Sequence, residues 1–202
     1  MMRILVFVIS LLFIHNIYAQ ENKSAKEAIK FQKELNKEFA NKEKTPLTEE
    51  DLKVFEELDF FPIDTTYMLL AKLKFHKDSK PFKMQTNTDR LPLYRIFATA
   101  TFNLKGKEHI LHIYQNVKLI QTAEFEDYLF LPFTDLTNGK STYGGGRYMD
   151  LKIPKGNTMI IDFNQTYNPF CAYNAKYSCP IPPKANQLNI EINSGVKKYK
   201  DH

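Results

Sequence analysis

The residues able to do directional chemistry at close quarters gather in the last third of the chain, between Gly139 and Pro183. There stand Gly144-Gly145-Gly146-Arg147, the carboxylates Asp150 and Asp162, the amides Asn164 and Asn168, five tyrosines (Tyr143, Tyr148, Tyr167, Tyr173 and Tyr177) and both cysteines, Cys171 and Cys179. Three successive glycines suit a nest of backbone amides that holds an anion, with Arg147 adding a bidentate fork. They equally suit a sharply bent entry to a strand, since glycine takes left-handed angles at no steric cost. No helix pattern opens after them and no Gly-Lys-Ser/Thr closes them, so phosphate-loop and dinucleotide fingerprints are absent.

Asp150, Asp162, Asn164 and Asn168 offer hard oxygens of the kind calcium takes, but Asp-x-Asn is also a common loop-capping device. The tyrosines could line a sugar or peptide pocket, or pack beneath a proline-rich loop. Seven residues separate the cysteines, a gap longer than metal-binding pairs usually show. In an oxidising compartment a bridge between them would close a small loop worth about 2.5 kcal/mol; two buried free thiols, or a catalytic thiol with a base among His76, His109 and His112, are the alternatives. His109 and His112, three apart on a strand, face opposite sides and cannot share one ion without a bulge. No metal or cofactor follows from these residues, and no catalytic role can be assigned.

Three kinds of element must position this region. Apolar residues Ala25, Ala28, Ile29, Leu35 and Phe39 recur at spacings of three and four, with Gln32 filling a gap, which predicts an amphipathic helix over 23–40. After Thr45-Pro46, Thr48 offers an N-cap ahead of Glu49, Glu50 and Asp51, predicting a short second helix to about Leu58. Phe60-Phe61-Pro62-Ile63-Asp64 then marks a change to a two-residue period. Strands are expected over 67–76, 94–104, 109–119, 128–133, 148–153, 158–163 and 187–192, with Tyr94, Ile96, Ala98, Ala100, Phe102 and Leu104 sharing one face. Pro154-Lys155-Gly156-Asn157 reads as the turn of a hairpin joining the strands on either side of it. The fold class is therefore mainly β: an antiparallel sandwich or partly closed barrel with two N-terminal helices.

Length and composition bound the setting. The 202 residues suit one domain. Residues 1–19 carry a basic start at Arg3, an apolar run from Ile4 to Ile14 and a small residue at Ala19, the layout of a secretory signal. That run is shorter than the roughly 20 residues that span a bilayer. The organisation expected is a signal at 1–19, a helical segment at 20–58, a β domain at 59–196 with functional loops at 139–183, and a tail at 197–202. The mature protein is expected to be exported, periplasmic or extracellular, with no integral membrane segment after cleavage. The net charge of +5 is spread among glutamates with no basic stripe interleaved with aromatics, which argues against nucleic acid as a partner.

The motifs Phe60-Phe61-Pro62-Ile63-Asp64, Asn138-Gly139, Thr142-Tyr143-Gly144-Gly145-Gly146-Arg147-Tyr148, Asp162-Phe163-Asn164, Tyr167-Asn168-Pro169, Cys171-Ala172-Tyr173 and Cys179-Pro180 together resemble the bacterial and archaeal domain-of-unknown-function family 1684. The likeness runs from about Phe31 to Val196 and is to a compact form, with two helices where longer relatives carry extra β-structure. It implies a predominantly β fold and a site in the last third, and brings no activity.

The function expected from the sequence is binding of a small molecule or glycan through Tyr143, Gly144, Gly145, Gly146, Arg147, Tyr148, Asp150, Asp162, Asn164, Tyr167, Asn168 and Tyr173. The alternative is a hydrolase that uses Asp162 or Asp150 with Arg147 as an electrostatic clamp. Two geometric expectations go with it. Cys171 and Cys179 are expected to be bridged. Across a four-residue turn at 154–157, Arg147 falls diagonally opposite Asp162, which would pair them at the floor of the site.

Overall fold

The computed structural model describes residues 25–200, so the expected signal at 1–19 and the ends 20–24 and 201–202 lie outside the described residues. Helix α1 spans 25–40 and buries Ala28 and Phe39. Helix α2, Glu49–Val54, starts as its sequence dictates: the Thr48 hydroxyl accepts the Asp51 N–H at 3.1 Å, and three carboxylates fill the first turn. It stops four residues short of Leu58. The chain leaves in extended form at Phe55, and the Leu58 N–H is taken by Asn36 Oδ1 of α1 at 2.8 Å.

Seven strands follow: β1 Met68–Phe75, β2 Phe82–Lys83, β3 Leu93–Leu104, β4 Lys107–Asn116, β5 Tyr128–Phe133, β6 Arg147–Lys152 and β7 Thr158–Asp162. They form one antiparallel sheet in the order β6-β5-β4-β3-β1-β7, with β2 added beside β3. A single sheet is not a sandwich, and its two ends curl towards each other. Tyr148 of β6 and Tyr167, just beyond β7, exchange main-chain hydrogen bonds of 2.9 and 3.0 Å. The architecture is a half-barrel. Among the described residues no helix is long and apolar enough to cross a membrane.

The main core lies on one face, where the two-residue period aligns Leu73, Ala100 and Leu111 across β1, β3 and β4. Leu131 and Met149 across β5 and β6, and Ile161 of β7, extend it. A bulge at Phe97 alters the expected face of β3. Ile96 pairs with Tyr114 and Ala98 with Ile113, so one extra residue throws Tyr94 and Ile96 to the opposite side from Ala98, Ala100 and Phe102. That opposite side carries a second cluster of Met84, Tyr94, Tyr114, Phe130, Tyr148 and Cys179.

Two further expectations are corrected. Strands β6 and β7 are not a hairpin: β6 pairs with β5 and β7 with β1, at opposite ends of the sheet order. The span 187–192 is not a strand either. It follows a single 3-10 turn at Lys184–Asn186 and drops Leu188 and Ile192 into the main core. Its backbone is held irregularly, through Leu188 N–H to Thr134 O at 2.8 Å and Ile192 N–H to Asp135 Oδ1 at 3.2 Å.

Candidate functional site

On the face of the second cluster, Tyr128, Phe130, Tyr148 and Asp150 stand side by side, because Phe130 pairs with Asp150 and Tyr128 lies one diagonal away. The Tyr148–Tyr167 bridge then brings a third phenol over the same face. The hydroxyls of Tyr128 and Tyr167 both donate to Asp150 Oδ1, at 2.7 and 2.6 Å. The other oxygen, Oδ2, takes no hydrogen bond from the described residues. Asp150 forms one wall of a groove of about 300 Å³ whose other walls are Phe31, Glu34, Leu35 and Glu38 of α1 with Tyr167 and Phe170.

The electrostatics follow from this packing. Asp150 is open to the groove at its edge, yet the crowding around it strips solvation from the charged form and raises its pKa, while the Tyr167 and Tyr128 hydroxyls pull it back. Both phenols are pushed well above the ordinary tyrosine value by burial first and by Asp150 second, so they stay protonated and donating. A carboxylate fixed by two donors, with one oxygen spare and aromatic rings beside it, is a ready acceptor for a ligand hydroxyl or amine. A larger trough of about 660 Å³ runs between α1 and the Phe60-Phe61-Pro62 motif. It opens broadly to solvent and is lined by both signs of charge, Lys33 with Glu57 and Asp59, beside the amides Gln32 and Asn36.

The other residues expected at a site divide sharply. Arg147 is fully buried and does not meet Asp162: its Nη2 pairs with Asp135 Oδ2 at 2.8 Å and donates to Ile192 O at 2.9 Å, while Nη1 donates to Ser194 O. Its guanidinium lies 5.3 Å from the centre of the Phe133 ring. The failed hairpin is the physical reason, since β6 pairs with β5 and β7 with β1, and the expected register between them does not form. Asp162 is buried and caps a 3-10 turn, accepting Asn164 N–H at 3.0 Å and Gln165 Nε2 at 2.9 Å. Asn164 is buried and laces Asp64 to Ser194, through Asp64 N–H at 3.0 Å and Ser194 Oγ at 2.8 Å. Asn168 and Tyr173 are buried against each other, and Tyr148 donates its hydroxyl to Pro180 O. The Asp162 and Asn164 oxygens are spent on the fold, Asn168 Oδ1 is buried without a hydrogen-bond partner, and no cluster of three or more His, Cys, Asp or Glu side chains that could hold a metal stands among the described residues.

The glycine triplet makes a turn in which the Gly146 N–H bonds Tyr143 O at 3.2 Å, so that amide is not free to hold an anion. Gly146 has a φ of +89°, and a Cβ there would sit 2.6 Å from Phe133 O. The bent strand entry is what these glycines provide.

Cys171 and Cys179 are two free thiols and not the expected bridge. Cys171 sits in a 3-10 turn, Phe170–Ala172, whose Cys171 N–H donates to Cys179 Sγ at 3.2 Å. Cys179 is pinned from the far side by Asn87, whose Oδ1 accepts its N–H at 2.6 Å. The Cys179 thiol donates to Cys171, and with help from the Tyr143 hydroxyl 3.8 Å away it lowers the Cys171 pKa to about 7 against the opposing effect of burial. Burial and the same contact push Cys179 up. Alkylation of Cys171 is therefore expected to accelerate as pH rises, with a midpoint near 7 against about 8.5 for a free cysteine. Tyr143→Phe removes one stabiliser of the thiolate and should move that midpoint upward, as rates of iodoacetamide labelling against pH will show.

The sequence pattern points to Asp150 and Tyr167 but not to two other contributors: Tyr128 stands in an apolar run, and the α1 residues lie over a hundred positions away. The histidines also part company: His109 stacks on Phe102 with ring centres 5.8 Å apart, whereas Thr99 Oγ1 links His76 Nε2 at 2.7 Å to His112 Nδ1 at 3.0 Å.

Fold and site together define a half-barrel domain with an acidic groove buttressed by tyrosines beneath an N-terminal helix. Residues 53–197 match the model of the family described as "Protein of unknown function (DUF1684)", and the chain belongs to that family. A solution NMR structure of the uncharacterized protein from gene locus rrnAC0354 of Haloarcula marismortui is similar, at 30% identity over 93% of this chain and 99% of that one, with a TM-score of 0.70. No curated protein matches.

Proposed function

We propose that this is an exported binding domain that takes a neutral or amino sugar in the groove between α1 and the 139–183 loops. The observation that carries the reading is the Asp150 carboxylate, locked through Oδ1 by two phenols and left with Oδ2 unbonded at the groove wall. A sugar presents hydroxyl donors along its edge and C–H groups on its faces, which suits a fixed carboxylate flanked by Phe31 and Phe170. Every charged residue lining the groove is acidic: Glu34, Glu38 and Asp150. An anionic sugar is disfavoured there by like-charge juxtaposition. The hydrolase alternative loses its clamp, because Arg147 is sealed in the core with Asp135.

The test is a calorimetric panel of neutral, amino and uronic methyl glycosides against the full mature chain. Neutral or amino sugars should bind and uronic acids should not. Binding should also weaken as pH falls through the Asp150 pKa, which lies above the ordinary carboxylate value, because protonation removes the accepting charge. No heat with any glycoside, or preference for the uronic acids, contradicts the reading.

A further inference from the structure

The groove makes no use of the two thiols, and these carry an inference of their own. Cys171 lines a second pocket of about 380 Å³ together with Thr48, Asp51, Tyr143, Tyr173 and Lys200. Cys171 is partly open to that pocket, whereas Cys179 is buried at 7% exposure behind it. The Cys171 N–H donates to the Cys179 sulfur at 3.2 Å, and the hydroxyl of Tyr143, which lines the same pocket, lies 3.8 Å from the Cys171 sulfur. Both cysteines are anchored by backbone contacts, one in its 3-10 turn and the other through Asn87, so the juxtaposition is built in. An outer thiol with a donor beside it and a second thiol directly behind it has the arrangement of an attacking and a resolving cysteine.

We propose that Cys171 and Cys179 form a two-cysteine redox site that reduces small hydroperoxides entering the pocket beside Tyr143. The Cys171 thiolate sulfur attacks the terminal oxygen of the hydroperoxide. A sulfur–oxygen bond forms, the oxygen–oxygen bond breaks, and the departing alkoxide takes a proton from solvent to leave as the alcohol. Cys171 is then a sulfenic acid. The Cys179 sulfur attacks the Cys171 sulfur, a sulfur–sulfur bond forms, and the sulfur–oxygen bond breaks. The released hydroxide takes the Cys179 proton and leaves as water. Two thiols have given two electrons to one hydroperoxide, and an external dithiol restores the pair by exchange. A small oxidant fits this site, because Cys171 is only partly exposed and lines a pocket of about 380 Å³.

The experiment uses the full mature chain, reduced, at pH 7 with one equivalent of hydrogen peroxide or cumene hydroperoxide. Peptide mapping should show the 171–179 bridge, with no other product, in the wild type. In Cys179→Ser, dimedone should trap a sulfenic acid on Cys171. In Cys171→Ser, Cys179 should stay a thiol. The greater thiolate fraction, discounted for lower intrinsic nucleophilicity, makes Cys171 about threefold faster than free cysteine before any help from the pocket. A Cys171 rate at or below that of free cysteine overturns the proposal. So does oxidation that starts at Cys179, or a Cys171 that reacts with glutathione disulfide but not with peroxide. The wild-type map stands even if a serine variant fails to fold.

Discussion

Replacing Arg147 with methionine is expected to destabilise the protein by about 3–5 kcal/mol, because it leaves the Asp135 carboxylate buried without its cation. Both side chains are 0% exposed. Asp135 is also committed elsewhere: its Oδ1 accepts the Thr137 N–H at 2.9 Å, the Thr137 hydroxyl at 2.6 Å and the Ile192 N–H at 3.2 Å. It cannot turn to water without breaking the chain's path. Arg147 in turn holds the carbonyls of Ile192 and Ser194, so its loss unpins the segment that closes the main core. The change should appear in urea unfolding as a lower midpoint at unchanged slope. In native-state hydrogen exchange, 188–196 should open first. Removing both charges with Asp135→Asn and Arg147→Met should cost less than the two single changes together, since no uncompensated charge remains. An Arg147→Met loss under about 1 kcal/mol, the size of an exposed pair, would remove this ion pair from its place at the centre of the fold.

The second large effect is expected at Asp150. Asp150→Asn keeps the shape and can still accept from Tyr128 and Tyr167, but it removes the charge that a ligand hydroxyl would meet. A hydrogen bond to a charged group contributes about 1.5–3 kcal/mol, so affinity for the bound glycoside should fall roughly ten- to a hundredfold. Tyr128→Phe or Tyr167→Phe should cost less, since each leaves Oδ1 with one donor and the carboxylate somewhat freer to rotate. Unfolding midpoints should barely move for Asp150→Asn, because Asp150 lies at the open edge of the groove. Equal binding by wild type and Asp150→Asn would show that this carboxylate is a bystander.

The pattern of the chain made the strands legible because each buries one face in an apolar core: β5 begins and ends where its sequence says, and β1, β3 and β7 fall within a residue or so. Partnership was not legible. The turn at 154–157 looks like a hairpin, but a turn signal is local, and which edges β6 and β7 join is decided by how a curved sheet closes. Long loops carry β6 to β5, and β7 adds to β1. Every inference that rested on that register, the Arg147–Asp162 pair above all, went with it. The span 187–192 has the alternation of a strand because Leu188 and Ile192 must reach the core, yet its hydrogen bonds go to a loop. The bulge at Phe97 hides in β3 because one inserted residue leaves composition unchanged while exchanging the two faces. At the site, residue type identified Asp150 and Tyr167. It did not identify Phe31, Glu34 and Glu38, whose role depends on where α1 docks.

On the proposed reading, ligand recognition belongs to the Asp150 groove and not to the glycine turn or Arg147. Amide NMR of the chain titrated with the tightest glycoside from the panel tests this reading. Saturable shifts should map to Phe31–Glu38, Asp150 and Tyr167–Phe170, and should vanish in Asp150→Asn. Shifts confined to Gly144–Arg147, or shifts at the groove that persist unchanged in Asp150→Asn, would contradict the account.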